Sequence, residues 1–384
     1  MIHKLHISGF KCFRDLDLPQ LGRINLFIGK NNTGKSTILE AVELFASDTI
    51  QALFAAVARR RGEFPLLYPI LGSEQSETHL ESLLRLAQTM IDMHHKERKD
   101  AAKADKTIRM DSGEDLSKLQ IGLRPFLANV LEQGLLLNKL SSEHDQAILS
   151  ELIARLIQDC FTVARGETVV RLDTTQGFVE QYLQLDKASH GLTHPESRPV
   201  QFVTARGLSS EQARKQWDHL SLEGKDEAVL DWMRLIEPEL REIRFLREAG
   251  STEQLYLRIN GDPSFKPLFT YGDGLTRIFH LALAAADARN GILLIDEFEN
   301  GLHWSIQKEL WRVISEASQK FDIQVFATTH SRDCLQSLAE VQSEQLLGYP
   351  FAIYRLERTD DTIYAQILPV DVIQSAMEYA VEVR

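Results

Sequence analysis

A chain of 384 residues with 43% apolar residues and a formal net charge of −12 is long enough for one large domain or two ordinary ones around a real core. Its acidity excludes a general attraction of free nucleic acid to the whole molecule, and no apolar run reaches the length of a membrane span. Three scattered cysteines (Cys12, Cys160, Cys334) exclude a disulfide framework or a zinc site, and the start at Met1 lacks the apolar stretch of a signal peptide, so the expected compartment is the cytoplasm.

From Ile2 to Asp17 apolar and polar residues alternate, as in half-buried strands. Arg23 to Ile28 reads as a buried strand, Gly29 opens a loop, and Ile38, Leu39, Val42 and Phe45 recur at helical spacing. Beyond Ser76, Leu80, Leu83, Leu84, Leu86 and Met90 trace an amphipathic helix. A charged stretch from His94 to Asp115 and helix-like sequence from Leu116 to Phe161 follow. The basic runs Arg59–Arg61 and Lys96–Lys106 read as solvated faces, and without a sustained heptad repeat no long coiled-coil arm is expected. The segment 76–199 is therefore expected to be a mainly helical insertion, a candidate dimer or partner surface, within a head built from 1–75 and 200–384.

Thr168–Leu172, Val200–Thr204 and Leu255–Asn260 have strand character, and Lys225–Leu240 has helix character. From Phe269 the chain alternates helix and strand. A helix follows Gly274, a strand covers Gly291–Ile295, a helix follows His303 and a strand covers Gln324–Thr328. A hairpin about Thr359–Thr362 and a last helix complete an α/β pattern.

Gly29-Lys30-Asn31-Asn32-Thr33-Gly34-Lys35-Ser36, with Thr37 behind it, fits the phosphate loop G-x-x-x-x-G-K-[ST] in its required place between strand and helix. Glycines let backbone N–H groups turn toward phosphate oxygens, and the helix start favours an anion. Lys35 would place its charge on the β- and γ-phosphates of ATP, and the Ser36 hydroxyl would coordinate Mg²⁺. A Gly-containing turn without a ligand is the bland alternative, which the context disfavours.

Ile292–Ile295 is an apolar run that ends in Asp296-Glu297, at the strand end where α/β proteins place ligands. Asp296 would hold Mg²⁺, and Glu297 would orient and deprotonate the attacking water. His330 follows the next buried strand and would bond the γ-phosphate or the water as a neutral imidazole. Gly272, Asp273 and Gly274 make a second Gly-rich helix start. It reads either as a tight turn or as a cap on the γ-phosphate of a neighbouring subunit's ATP.

The order of these parts resembles the ABC-type ATPases such as the SMC proteins and RecF. Gly272–Arg277, Leu294–His303 and Ala327–Ser331 look more closely like the bacterial AAA-family ATPases related to the OLD (overcoming lysogenisation defect) nucleases, as do Gly29–Thr37 and Glu382–Arg384. The resemblance covers roughly 1–75 and 200–384. It implies an ABC-type P-loop ATPase head of the α/β class that clamps ATP in a head-to-tail dimer. Gly272–Arg277 would be the signature acting in trans, Asp296 and Glu297 the Walker B pair, Glu299–His303 the D-loop and His330 the switch histidine. Many ABC signatures carry serine where this chain has Gly272, which removes a hydroxyl contact and implies slow hydrolysis. Gln201 is the candidate for the Q-loop glutamine.

OLD nucleases add a TOPRIM domain, and the 54 residues after His330 leave no room for one. The resemblance therefore implies a sensor or scaffold that acts with a separate effector, such as a TOPRIM-type nuclease in anti-phage defence. Two other readings stay open: a RecF/SMC-like repair ATPase that clamps DNA directly, and a nucleotide-binding structural protein with little turnover. A transporter subunit and a small-molecule kinase fit the motifs less well.

Overall fold

The computed structural model describes residues 1–46, 106–111, 118–123, 161–165, 168–171, 198–246, 254–343, 351–360, 362–369, 372–373 and 375. Its centre is a six-stranded sheet in the order β15-β14-β3-β13-β12-β8. The strands are β3 (Ile24–Gly29), β8 (Val200–Val203), β12 (Ile292–Ile295), β13 (Gln324–Thr328), β14 (Phe351–Thr359) and β15 (Thr362–Ile367). All neighbours are parallel except β14 and β15, which form the expected hairpin with Thr359 opposite Thr362. Every residue of β3, β12 and β13 is buried. That explains their largely apolar runs: a parallel sheet covered on both faces has no solvent side to mark with alternating polar residues.

Helices cover this sheet: α1 (Lys35–Ala46), α2 (Ser210–Leu222), α3 (Asp226–Met233), α4 (Asp273–Asp287), α5 (Trp304–Lys320) and α6 (Arg332–Ser343). Phe298, just past β12, stacks flat on Trp311 of α5 with centroids 3.9 Å apart. Phe279 of α4 packs against Trp217 of α2 and against Phe245 in β9 (Leu240–Leu246). Strand β9 pairs with β10 (Gln254–Ile259), which pairs with β11 (Lys266–Pro267), as a small antiparallel sheet. Among the described residues no helix is long and apolar enough to cross a membrane.

Three elements differ from the sequence reading. The expected helix Lys225–Leu240 stops at Met233, and Leu240 opens β9. Pro238 bars the helix from reaching Leu240, because a proline disfavours helical geometry in the residue before it. Helix α2 had not been expected. Its start carries a readable signal, a capping box in which Ser209 and Gln212 bond reciprocally.

The third difference concerns the segment 76–199. Apart from Arg198 and Pro199, its described residues are all strand: β4 (Lys106–Asp111), β5 (Lys118–Leu123), β6 (Phe161–Arg165) and β7 (Thr168–Arg171), of which only β7 had been expected. They continue the hairpin of β1 (Leu5–Phe10) and β2 (Phe13–Leu18) into one antiparallel sheet, β2-β1-β4-β5-β6-β7. The division at 75/76 therefore cuts through a sheet, because β4 pairs directly with β1. The amphipathic helix expected over Leu80–Met90 lies outside the described residues, as does most of the expected last helix.

On α4, His280 accepts a hydrogen bond at Nδ1 from the Leu208 amide, and a Cβ on Gly207 would lie 2.2 Å from that nitrogen, so only glycine fits there. Burial, and secondarily the Arg277 charge, push the His280 pKa down to about 4. The folded chain thus binds this proton less readily than the unfolded chain, whose histidine titrates near ~6.5. Stability from this group is present above about 6.5 and is lost as pH falls toward 4. Denaturant melts across that window should show a smaller pH slope for His280→Gln than for the parent chain.

Candidate active site

Register brings three strand ends together. Ile295 of β12 pairs with Ala327 of β13, and Thr328 pairs with Phe27 of β3. The loop Gly29–Ser36, the acidic pair Asp296-Glu297 and His330 therefore leave the sheet at the same end, where parallel α/β sheets bind ligands.

Loop curvature is built into residue size. Gly29 has φ +144, and a Cβ there would lie 2.5 Å from the Leu356 carbonyl oxygen of β14. Gly34 has φ +87, and a Cβ there would meet the Cys12 sulfur and the Phe13 ring at 2.8 Å. Asn32 takes a left-handed φ of 63, which asparagine tolerates. Thr33 is buried and its hydroxyl donates to the Lys30 carbonyl at 2.8 Å, whereas Lys30, Asn31 and Asn32 are exposed at the loop tip. The Thr37 side chain bonds the Cys12 thiol beneath the loop.

Lys35 Nζ donates to the carbonyls of Gly29 at 2.7 Å and Lys30 at 2.8 Å, so the ammonium lies across the loop. Burial lowers its pKa to about 8, opposed by the nearby carboxylates of Asp296, Glu297 and Glu299. A phosphate anion would restore the charge preference that burial weakens.

Ser36 Oγ donates to Asp296 Oδ1 at 2.9 Å, and Thr328 Oγ1 donates to the same oxygen at 2.7 Å. Two neighbouring ligands of an octahedral Mg²⁺ at ~2.05 Å lie about 2.9 Å apart. The Ser36 and Asp296 oxygens have that separation, and both are hard donors that suit the ion. The Glu297 amide donates to Thr328 Oγ1 at 2.9 Å, and Glu297 sits at a left-handed φ of 49.

Arg277 reinforces that turn. It is 4% exposed, and its guanidinium donates to the carbonyls of Asp296 at 2.7 Å, Glu297 at 2.9 Å and Thr204 at 2.5 Å. Burial lowers its pKa to about 10, against the opposing pull of Asp296, Glu299 and Glu297. His330 is shifted downward by burial and by the Lys35 charge, which favours the neutral imidazole.

Gly272, Asp273 and Gly274 begin α4 beside the turn that follows the acidic pair. Gly272 and Asp273 are exposed, and no side chain caps the helix start. A Cβ on Gly272 would meet nothing, whereas one on Gly274 would lie 3.1 Å from the Gly301 carbonyl oxygen. Gly274 is thus held small by its own chain's turn. Gln201 lies elsewhere: it donates to Asp287 at 2.7 Å and accepts from Gln216 at 2.7 Å, so both ends of its amide are engaged at the far end of α4.

The sequence reading gave no role to Thr328 or Arg277, although both lie in segments it singled out. A threonine closing a buried strand beside an acidic pair is one usable signal. An arginine within the apolar face Leu275, Ile278, Phe279 is another, because a buried charge demands partners.

Comparisons with known proteins bear on the family and the fold. Residues 1–159 match the AAA ATPase domain family, and residues 170–333 match an AAA domain family named for the AbiEii toxin of type IV TA systems. An ATP/GTP phosphatase of Helicobacter pylori is 21% identical over 393 residues, covering 94% of each chain. An OLD nuclease of Thermus scotoductus is 40% identical over 53 residues, which is 14% of this chain and 10% of that protein. Among solved structures, an SMC head bound to the C-winged helix domain of ScpA superposes with a TM-score of 0.51 at 12% identity, covering 98% of this chain and 99% of that one. The chain is similar to AAA ATPases with OLD and SMC relationships, and its fold is that of an α/β P-loop ATPase head.

Lys35→Ala removes the one ammonium buried in the loop. ATP affinity measured by calorimetry should fall at least about 100-fold, or ~2.7 kcal/mol. Unchanged affinity would overturn the phosphate-loop assignment.

Proposed function

We propose that this AAA/ABC-type chain hydrolyses ATP to ADP and phosphate, with Lys35, Glu297 and His330 as its catalytic residues. The observation that carries the reading is the shared oxygen Asp296 Oδ1, which joins Ser36 of the phosphate loop to the strand end that presents Glu297. The name of the Helicobacter pylori relative, an ATP/GTP phosphatase, supports it.

The backbone of Gly29–Thr37 and the Lys35 ammonium bind the β- and γ-phosphates. Mg²⁺, held by Ser36 and Asp296, would neutralise charge between these phosphates. Glu297 takes a proton from water as the water oxygen bonds the γ-phosphorus. The bond from that phosphorus to the β–γ bridging oxygen breaks, and the electron pair leaves with ADP. A neutral His330 donates a hydrogen bond to the γ-phosphate. Arg277 holds the Asp296 and Glu297 carbonyls, and so the backbone that aims the base.

The exposed, uncapped start of α4 supports the trans reading of Gly272–Gly274, in which two chains pair head to tail and each caps the other's γ-phosphate. Closing on ATP and opening after hydrolysis would make the dimer a sensor or scaffold. The OLD relationship supports a separately encoded effector nuclease, with anti-phage defence as the setting.

Glu297→Gln keeps the side-chain shape but accepts no proton. Turnover should fall by about 100- to 10,000-fold with ATP affinity retained, and the closed dimer should accumulate on size exclusion with ATP and Mg²⁺. Parent-like turnover would remove Glu297 as the base.

Trans capping is read by mixing two inactive chains. Asp273→Trp places a bulky side chain at the exposed helix start, and Lys35→Ala disables the phosphate loop. A mixed dimer then contains one intact site, so partial ATPase activity should return on mixing. Mixed dimers that form and bind ATP without any turnover would overturn the trans arrangement.

A further inference from the structure

Glu299 lies two residues beyond the proposed base, in the turn between β12 and α5. Both of its carboxylate oxygens accept hydrogen bonds from the segment after β13. Oε2 accepts from Thr329 Oγ1 at 2.7 Å, and Oε1 accepts from the His330 amide at 2.8 Å. Thr329 is 1% exposed, and its hydroxyl oxygen also accepts from the Ser331 amide at 2.9 Å. The entry into α6 is therefore tied to this carboxylate, besides the bond of the Thr329 amide to the Phe27 carbonyl. Bonds to an ionised acceptor are roughly twice as strong as neutral ones.

The other end of the same turn is equally tied. The Leu302 amide donates to the Glu299 carbonyl at 2.9 Å, and the Asn300 amide donates to the Glu297 carbonyl at 3.0 Å. Asn300 Nδ2 reaches the Ala205 carbonyl at 2.6 Å. Gly301, at φ +75, abuts the start of α4, where a Cβ would lie 3.4 Å from the Asp273 carbonyl oxygen. One short turn thus touches the exposed helix start at one side and holds the histidine loop at the other.

We propose that Glu299 is a positioning residue that fixes His330 relative to Glu297. The inference rests on the ATPase reading above. Both carboxylate oxygens of Glu299 accept from the segment that carries His330, which is the contact a positioning role requires.

The test compares the full-length parent with Glu299→Ala, Glu299→Gln, Thr329→Val and the Glu299→Ala/Thr329→Val pair, measuring ATP affinity and steady-state hydrolysis. For Glu299→Ala, kcat should fall about 100-fold, the scale of a misplaced reacting group, while ATP affinity stays within about twofold. Glu299→Gln should fall less, because its carbonyl oxygen still accepts from the His330 amide. The double variant should be no worse than the poorer single one, as expected of partners in one link. Parent-like kcat in Glu299→Ala, a rise in KM alone, or additive losses in the double variant would overturn the proposal. If Glu299→Ala does not fold, Glu299→Gln and Thr329→Val carry the same comparison. If the parent binds ATP but does not hydrolyse it, the ATPase reading fails and amide hydrogen exchange at His330 decides the link. Faster exchange in Glu299→Gln supports positioning, and unchanged exchange overturns it.

Discussion

The candidate site depends on one oxygen atom. Asp296 Oδ1 accepts from Ser36, which lies 260 residues away in sequence, and from Thr328, which lies 32 residues away. A partly buried carboxylate oxygen is costly unless donors surround it, and these two hydroxyls satisfy it. The same threonine oxygen accepts the Glu297 amide. The start of α1 and the ends of β12 and β13 are therefore tied at a single node, which requires β3, β13 and β12 to be adjacent and in register.

Around that node the electrostatics are balanced. Lys35 and Arg277 are both buried, and burial alone disfavours their charges. Asp296, Glu297 and Glu299 act in the opposite direction on each of them. The cations differ in how they are held: Lys35 bonds two carbonyls of its own loop, whereas Arg277 grips three carbonyls from two strand ends. A planar guanidinium suits fixed scaffolding, and a single ammonium suits a group that must turn to a ligand.

Much of this was legible before any coordinates. Buried strands announce themselves by largely apolar runs, and β13 and the β14–β15 turn fall where the pattern places them. The phosphate loop and the acidic pair were legible because their chemistry demands fixed residue types at fixed spacing. Residues acting through backbone carbonyls, such as Arg277, leave no such spacing. Their partners are chosen by packing, and the carbonyl acceptor is common to every residue type. The antiparallel strands β4–β6 were missed for another reason. They are short, and Leu-rich flanks at helical spacing masked alternations such as Thr107-Ile108-Arg109-Met110. The Gly274 position is a further case: the sequence indicates a need for glycine, but only the fold shows that Gly301 of the same chain imposes it.

The place of β3 in the central sheet has a consequence for how the chain is made. Both its neighbours, β13 and β14, are synthesised about 300 residues later, a separation measured by the bond between Asn25 and the Val325 carbonyl. Until they emerge from the ribosome, Ile24–Gly29 has neither ladder partner, and its apolar side chains (Ile24, Leu26, Phe27 and Ile28) have no core to enter. Long-range parallel pairing of this kind forms slowly and leaves sticky edges exposed while it waits. The segment that carries the nucleotide loop is thus among the first parts translated and among the last to find its sheet neighbours.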